Sequence, residues 1–341
     1  MTNGYRFEFR PYQRRFVRSL TTNYGNWDIR EGIILRLTDE SGRVGWGEIA
    51  PISWFGSETL EQALDFCRQL PREITDEIIF SIPDELPACQ FGFESAQEWG
   101  ETQLIASVLG SEFFSIPNAP CPMPHAQFYS ALLPAGEGAL NQWETLWQQG
   151  YHTFKWKIGV YAIADELEIF ESLIHTLADF TKLRLDANGG LTYEEAKLWL
   201  RTCDNLKANA ELAVEIEFIE QPLPVEQFQQ MLELSLSYET AIALDESVAT
   251  LKQLAACHQQ GWRGIFVIKP GIIGSPSRLR KFCHEHQIDT VFSSVFETAI
   301  ARQAALQLAA ELSRNNRAIG FGIDHFFEQE ETWFQSLWND L

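Results

Sequence analysis

Polar and apolar residues alternate from Tyr5 to Arg10, the period of a half-buried strand. Gly32–Thr38 and Val44–Ile49 are β-rich runs on either side of Asp39–Arg43, a polar turn containing glycine, and together they predict a β-hairpin. Helical periodicity follows near Thr59–Leu70 and Ser95–Leu109. Pro117, Pro120, Pro122 and Pro124 then crowd together and mark a boundary. Residues 1–120 therefore read as an α+β domain.

Beyond the prolines the pattern changes to repeated strand-then-helix units. β-rich runs occur at Gln127–Leu133, Thr153–Ile158, Lys182–Asp186, Glu215–Glu220, Ala241–Asp245, Ile265–Lys269, Thr290–Ser293 and Ile319–Ile323. Amphipathic stretches lie between them: Ala164–Phe180, Tyr193–Leu206, Val225–Tyr238, Leu251–Gln260, Pro276–Gln287 and Thr298–Leu312. Such alternation means parallel strands joined by crossover helices, and eight strands suit a closed barrel over residues 121–325 better than an open sheet. No glycine fingerprint of a dinucleotide fold follows the first strand. The tail, 326–341, carries Trp333, Phe334 and Trp338 and is expected to pack back on the first domain.

The strand ends carry charge in an ordered way. Lys155 and Lys157 close one strand, Asp186 and Asn188 the next, then come Glu220, Asp245 and Lys269. Side chains alternate along a strand, so Lys155 and Lys157 share a face while Trp156 points to the helix layer. A single carboxylate at a strand end is ordinarily a helix cap, and a lone pair of lysines is ordinarily a solvated edge. Capping does not explain five charged tips on five successive strands, with Ala243 and Ala241 inward below Asp245 and Val267 and Ile265 inward below Lys269. Three carboxylates converging on one point repel one another unless a cation joins them. A hard divalent ion with open octahedral positions, as Mg2+ prefers, resolves this. Two lysines would then face each other across the site, where a proton could be taken from carbon beside a carboxylate.

The motifs Lys155-Trp-Lys157, Leu185-Asp-Ala-Asn188, Ile219-Glu-Gln-Pro222, Leu244-Asp-Glu-Ser247 and Ile268-Lys-Pro270 resemble the signature of the enolase superfamily, in its muconate-lactonizing-enzyme subgroup. The resemblance covers nearly the whole chain and implies a (β/α)7β barrel with an N-terminal α+β cap, an α/β fold. It implies that Asp186, Glu220 and Asp245 hold Mg2+, for which Mn2+ can substitute, and that Lys157 and Lys269 are the acid/base pair, with Lys155 in a supporting role. The superfamily's use of a lysine base with Mg2+ to stabilise an enediolate is itself a standard worked case. Trp27–Gly32, Gly45–Pro51, Phe292–Glu297 and Gly320–Asp324 are similar to the members that dehydrate 2-succinyl-6-hydroxy-2,4-cyclohexadiene-1-carboxylate to o-succinylbenzoate in menaquinone and phylloquinone biosynthesis. The alternative is a dipeptide or N-acylamino acid epimerase of the same subgroup. Dipeptide epimerases usually carry an Asp-x-Asp on the last strand to hold the substrate amine, and Gly322 stands at its first place here. Cycloisomerase chemistry comes third, and a silent binding barrel would have lost a ligand or a lysine.

Lys155, Asn188, Ser293 and Ser294 are the expected substrate contacts, the two serines through hydroxyl or backbone donors, with ordinary turn formation as the other reading. Arg184, deeper on the Asp186 face, is expected in a buried ion pair that orients the site carboxylates or lysines, in preference to direct substrate contact. Arg30 either steers substrate from the cap or pairs with Glu31 or Asp28.

Composition narrows the partners. The 341 residues are 45% hydrophobic and 21% charged, the balance of a globular protein. No apolar run is long enough for a membrane span, and no apolar core follows a basic head at the start. A net charge of −21 argues against a nucleic-acid partner. Six scattered cysteines predict reduced, buried thiols in the cytoplasm. Cys283, His284 and His286 fall on different faces of one predicted helix and make no metal site. The expected partner is a small-molecule substrate, and none of these patterns sets an oligomeric state.

Overall fold

The computed structural model describes residues 3–22, 25–108, 126–207, 213–322, 326–327 and 337–338. The N-terminal part is a four-stranded antiparallel sheet. Strands β1 (Gly4–Thr22) and β2 (Gly25–Asp39) form a long hairpin, and β3 (Val44–Ile49) pairs with β2 as the sequence predicts. Helix α1 (Leu60–Gln69) follows, opened by a capping box between Thr59 and Gln62. Then come β4 (Glu73–Thr75) on the outer edge of β1, the short α2 (Asp76–Phe80) and α3 (Pro87–Val108).

Two differences from the sequence reading have physical causes. Strand β1 runs well past Arg10, because the alternation continues with Tyr12, Arg14 and Phe16 buried. The Arg14 guanidinium in an inward place hides the pattern, and it lies 4.2 Å over the Phe327 ring. Helix α3 starts at Pro87 and not Ser95. Residues 88–96 are buried on every side, so no amphipathic period marks this half of the helix. A proline at the first helical position costs no hydrogen bond, and Glu58 accepts from the freed N–H groups of Ala88 (3.0 Å) and Cys89 (2.8 Å). The helix lies on β3 through a glycine contact: a Cβ on Gly47 would come 2.0 Å from the Gly92 carbonyl oxygen.

The second part is parallel. In chain order it contains β5 (Ser130–Leu133), α4 (Gly138–Gln148), β6 (Thr153–Lys157), α5 (Ile163–Thr176), β7 (Lys182–Asp186), α6 (Tyr193–Lys207), β8 (Glu215–Glu220), α7 (Phe228–Ser237), β9 (Ile242–Leu244), α8 (Leu251–Gln259), β10 (Ile265–Ile268), α9 (Pro270–Ile273), α10 (Pro276–His286), β11 (Asp289–Phe292) and α11 (Ala299–Leu312). The strands pair in sequence order from β5 to β11. The expected eighth strand is reduced to two bridges, Ile319 with Tyr129 and Gly320 with Ser293, which join β5 to β11 and close the ring. Glycine permits the closure, since a Cβ on Gly320 would lie 2.7 Å from Ser293 Oγ. This is the expected (β/α)7β barrel under an α+β cap.

Trp156 points outward as parity requires and stacks on Phe170 of α5 at 6.3 Å. Phe218, Ala243, Ile265, Val267 and Val291 fill the barrel interior. The capping-sheet core takes in Ile272 and Val295 from the barrel, and Phe91 of α3 belongs to the barrel's own core. Trp338 packs on Trp46 of β3 at 5.0 Å, whereas Trp333, Phe334, Ile323, Asp324 and the four boundary prolines lie outside the described residues. Cys283 is buried while His284 and His286 face outward, so the three do not converge.

Candidate active site

The charged tips gather at one end of the barrel. Lys157, Asp186 and Glu220 stand in register across β6, β7 and β8, and Glu220 is level with Ala243 of β9, the strand that Asp245 directly follows. With Asp245 and Lys269, Lys157 and Asp186 line a cavity of about 280 Å³, whose walls also include Lys155, Asn188, Glu246, Ser293 and Ser294; Glu220 is buried against Lys155 and does not line it. Lys157 ends β6 and Lys269 follows β10, strands that the closed ring sets on opposite sides of the barrel.

The three lysines differ in their neighbours. The Lys155 ammonium sits between Asp186 Oδ2 (3.1 Å) and Glu220 Oε1 (2.6 Å). Lys269 donates to Asp245 Oδ1, and its ammonium lies 4.0 Å from the centre of the Phe55 ring. Lys157 forms no ion pair among the described residues. Among those residues, no three carboxylate, imidazole or thiol groups close on a single point; the Lys155 ammonium stands between two of the carboxylates instead.

Four carboxyls, Asp186, Glu220, Asp245 and Glu246, stand among three lysines here. Burial raises the Asp186 carboxyl above the usual range and the Glu220 charge adds to it, with Lys155 opposing. Glu220 is raised by burial, against Lys155 and with Asp245. Glu246 is pushed up to about 8 by burial, then by the charges of Asp245 and Asp186. Burial pulls Lys155 down, but the surrounding carboxylates outweigh it and hold the ammonium well above its ordinary range. Glu246 also has a buried Oε2 with no hydrogen-bond partner. Glu246 stands beside Asp245 in Leu244-Asp-Glu-Ser247, but strand parity turns it away from Asp245, so nothing in the sequence marks it as part of the site.

Several expected contacts are engaged within the protein. Asn188 donates its backbone N–H to Asp186 Oδ1 (3.2 Å) and its amide to Glu246 Oε1 (3.1 Å). The backbone N–H groups of Ser293 and Ser294 donate to Ile268 and Gly320 carbonyls, and the Ser294 hydroxyl donates to Glu297 (2.8 Å). The serine backbone donors therefore serve barrel closure. Arg184 is in a buried ion pair as expected, but its partner is Glu217 at 2.5 Å and it donates to the Ala318 carbonyl, so it braces the closing segment and not the site carboxylates. A register shift between Leu183 and Arg184 brings Glu217 to that position, which parity alone cannot foresee. Arg30 meets neither Asp28 nor the cavity: it is buried and donates to the carbonyls of Glu31, Ala50 and Pro51. It thereby anchors the loop that carries Trp54 and Phe55 over the cavity, beside Leu20, Trp27 and Ile52.

Comparison with known proteins agrees with this arrangement. Residues 139–337 match the family described as "Enolase C-terminal domain-like", and residues 17–99 match "MenC, N-terminal domain". The chain is 41% identical to o-succinylbenzoate synthase of Thermosynechococcus vestitus, over 98% of this chain and 99% of that one. A solved structure of o-succinylbenzoate synthase from Thermosynechococcus elongatus, complexed with Mg in the active site, superposes with a TM-score of 0.83 at 38% identity, covering 98% of this chain and 100% of that one. The L-Ala-D/L-Glu epimerase of Bacillus subtilis, in a substrate-liganded complex, shares the fold at a TM-score of 0.72 and 21% identity, over 95% of this chain and 91% of that one.

Proposed function

This chain belongs to the enolase superfamily and, within it, to the o-succinylbenzoate synthases, and on that premise we propose how its residues divide the chemistry. The reaction is the Mg2+-dependent loss of water from 2-succinyl-6-hydroxy-2,4-cyclohexadiene-1-carboxylate, which yields o-succinylbenzoate.

Asp186, Glu220 and Asp245 would hold the ion. Their all-oxygen donor set suits a hard divalent cation, and the buried Glu246 Oε2 beside them has no hydrogen-bond partner. Mg2+, when bound, supplies positive charge facing the substrate carboxylate. Lys157 takes the proton from the ring carbon that bears the carboxylate. The observation that carries this role is its freedom from ion pairing, beside two lysines that are bound to carboxylates. Lys269, from the opposite side, opposes the negative charge that builds as the C–H bond breaks. The C–O bond then breaks, the ring becomes aromatic, and the departing hydroxide takes the proton from the Lys157 ammonium and leaves as water, which returns Lys157 to its starting state.

Opposed lysines also suit epimerisation. Gly322 disfavours it, because a Cβ there would lie 2.9 Å from the Ser130 carbonyl oxygen and no amine-binding carboxylate fits. The same reading divides the chain into a cap over 1–120, a barrel over 121–325 and a returning segment over 326–341. The five described cysteines are free and buried, which supports a reducing, cytoplasmic setting. Two assays in deuterium oxide test the function: ultraviolet loss of the cyclohexadiene, and NMR washout of the α-proton across a dipeptide panel. Fast dehydration with slow washout is expected; rapid washout without dehydration would leave the epimerase reading standing.

A further inference from the structure

Glu220 ends β8, and the residue after it leaves the strand in a left-handed backbone, Gln221 with φ of 38°. Such a conformation is uncommon for a residue with a Cβ and persists only when its surroundings impose it. The surroundings here are extensive. The Gln221 backbone N–H donates to the Ala243 carbonyl (2.7 Å), and its own carbonyl accepts from Gly189 N–H (2.7 Å). The backbone of this one residue thus ties the exits of β7 and β9 to that of β8.

The side chain is fully buried and uses both ends of its amide. Its Oε1 accepts from the backbone N–H of Asp245 (3.0 Å) and of Ser247 (3.2 Å). Its Nε2 donates to the Leu223 carbonyl (2.9 Å) and to Ser247 Oγ (2.8 Å). The segment it grips, Glu246–Val248, is a single 3-10 turn, and Asp245 precedes it in an irregular conformation that no strand ladder holds. Fixing the Asp245 N–H from the end of the neighbouring strand fixes where its carboxylate stands relative to Glu220.

We propose that Gln221 is a positioning residue for the metal centre, setting the spacing between the Glu220 and Asp245 carboxylates through the Asp245 backbone. This rests on the reading that Asp186, Glu220 and Asp245 hold Mg2+. It predicts that loss of the Gln221 amide weakens the ion in a folded protein, where a merely structural role would lower only the melting temperature. Second-layer partners of metal ligands typically change metal affinity about 10–100-fold when removed.

The test is Mg2+ titration calorimetry on Gln221→Met, Ser247→Ala and Asp245→Asn, with melting temperature and the Mg2+ dependence of kcat measured on the same samples. Gln221→Met is expected to raise the Mg2+ Kd by about tenfold or more, with kcat largely restored at saturating Mg2+. Ser247→Ala removes one bond of the network but leaves the Asp245 N–H bond in place, and its Mg2+ Kd is expected to stay near that of the parent. If Gln221→Met does not fold, Gln221→Asn, one methylene too short to reach the Asp245 N–H, is expected to show the same loss of affinity. A Gln221 variant that melts lower yet binds Mg2+ as the parent does would overturn the proposal, as would an equal loss in Ser247→Ala. Asp245→Asn separates the two levels: if it binds Mg2+ undiminished, the ligand reading itself falls, whereas loss there with intact binding in the Gln221 variants removes only the inference.

Discussion

Lys155, Lys157 and Lys269 line one cavity, yet their neighbours differ, and the proposed function gives them different work. An ammonium held by two carboxylates resists giving up its proton, which suits Lys155 to charge balance and Lys157 to proton abstraction. Lys157→Ala is expected to lower kcat by about 10⁴-fold or more, since a positioned base is lost. Lys155→Ala should act differently. Removing one partner of a buried ion pair costs on the order of 3–5 kcal/mol because the remaining charges stay buried. In that variant Asp186 and Glu220 face each other without their ammonium, so melting temperature should fall most in Mg2+-free buffer and recover when Mg2+ is added. Parallel thermal scans with and without Mg2+, beside steady-state rates, check both; equal small rate losses in the two variants would show the roles misassigned.

Helix starts tell which interactions join the two layers. Glu48, on β3, accepts at the N-terminus of α11 from the backbone N–H of Thr298 (3.0 Å) and of Ala301 (3.3 Å), and also from the hydroxyls of Thr298 and Tyr12. Gln90 and Glu94, on α3, accept from Ser275 and Ser277 N–H (both 3.0 Å) at the start of α10. A carboxylate at a helix N-terminus satisfies free N–H groups and opposes the positive end of the helix dipole. Glu48→Ala should cost about 1–3 kcal/mol, the price of stranded buried donors, and Glu48→Gln less. A lower urea midpoint at unchanged m-value is the expected signature. These elements also show what was legible in the sequence. The β/α repeats were, because each strand and helix carries its own period, and so were the charged strand tips, because parity puts them on one face. The first half of α3 was not, since burial on all sides erases periodicity. Nor were the Arg184–Glu217 pair, set by a register shift, or the grip of Gln221 on Asp245, which depends on a turn between neighbouring strands.

At the scale of the whole molecule, cap and barrel share their interior. Ile272 and Val295 from the barrel complete the cap core, Phe91 of α3 enters the barrel core, and Trp27, Trp54 and Phe55 roof a cavity whose floor is the barrel mouth. A cap that unfolded alone would expose the apolar surface of both, so the two should open together. The cysteines report on this. Cys67 and Cys89 are buried in the cap core, and Cys203, Cys257 and Cys283 in the barrel. Burial pushes the thiols up, with the Glu58 charge adding to the effect at Cys67 and Cys89; Cys67, Cys203 and Cys283 reach about 12 and Cys257 about 11. Alkylation requires the thiolate, so near pH 8 the folded protein should label very slowly at all five positions, and labelling should proceed through opening. With Cys121 replaced by serine, pulsed alkylation across a urea series, read peptide by peptide, should give cap and barrel cysteines one common opening free energy. Earlier labelling of Cys67 and Cys89, at urea concentrations where the barrel cysteines stay protected, would show instead that the cap opens on its own, and the roof of the cavity with it.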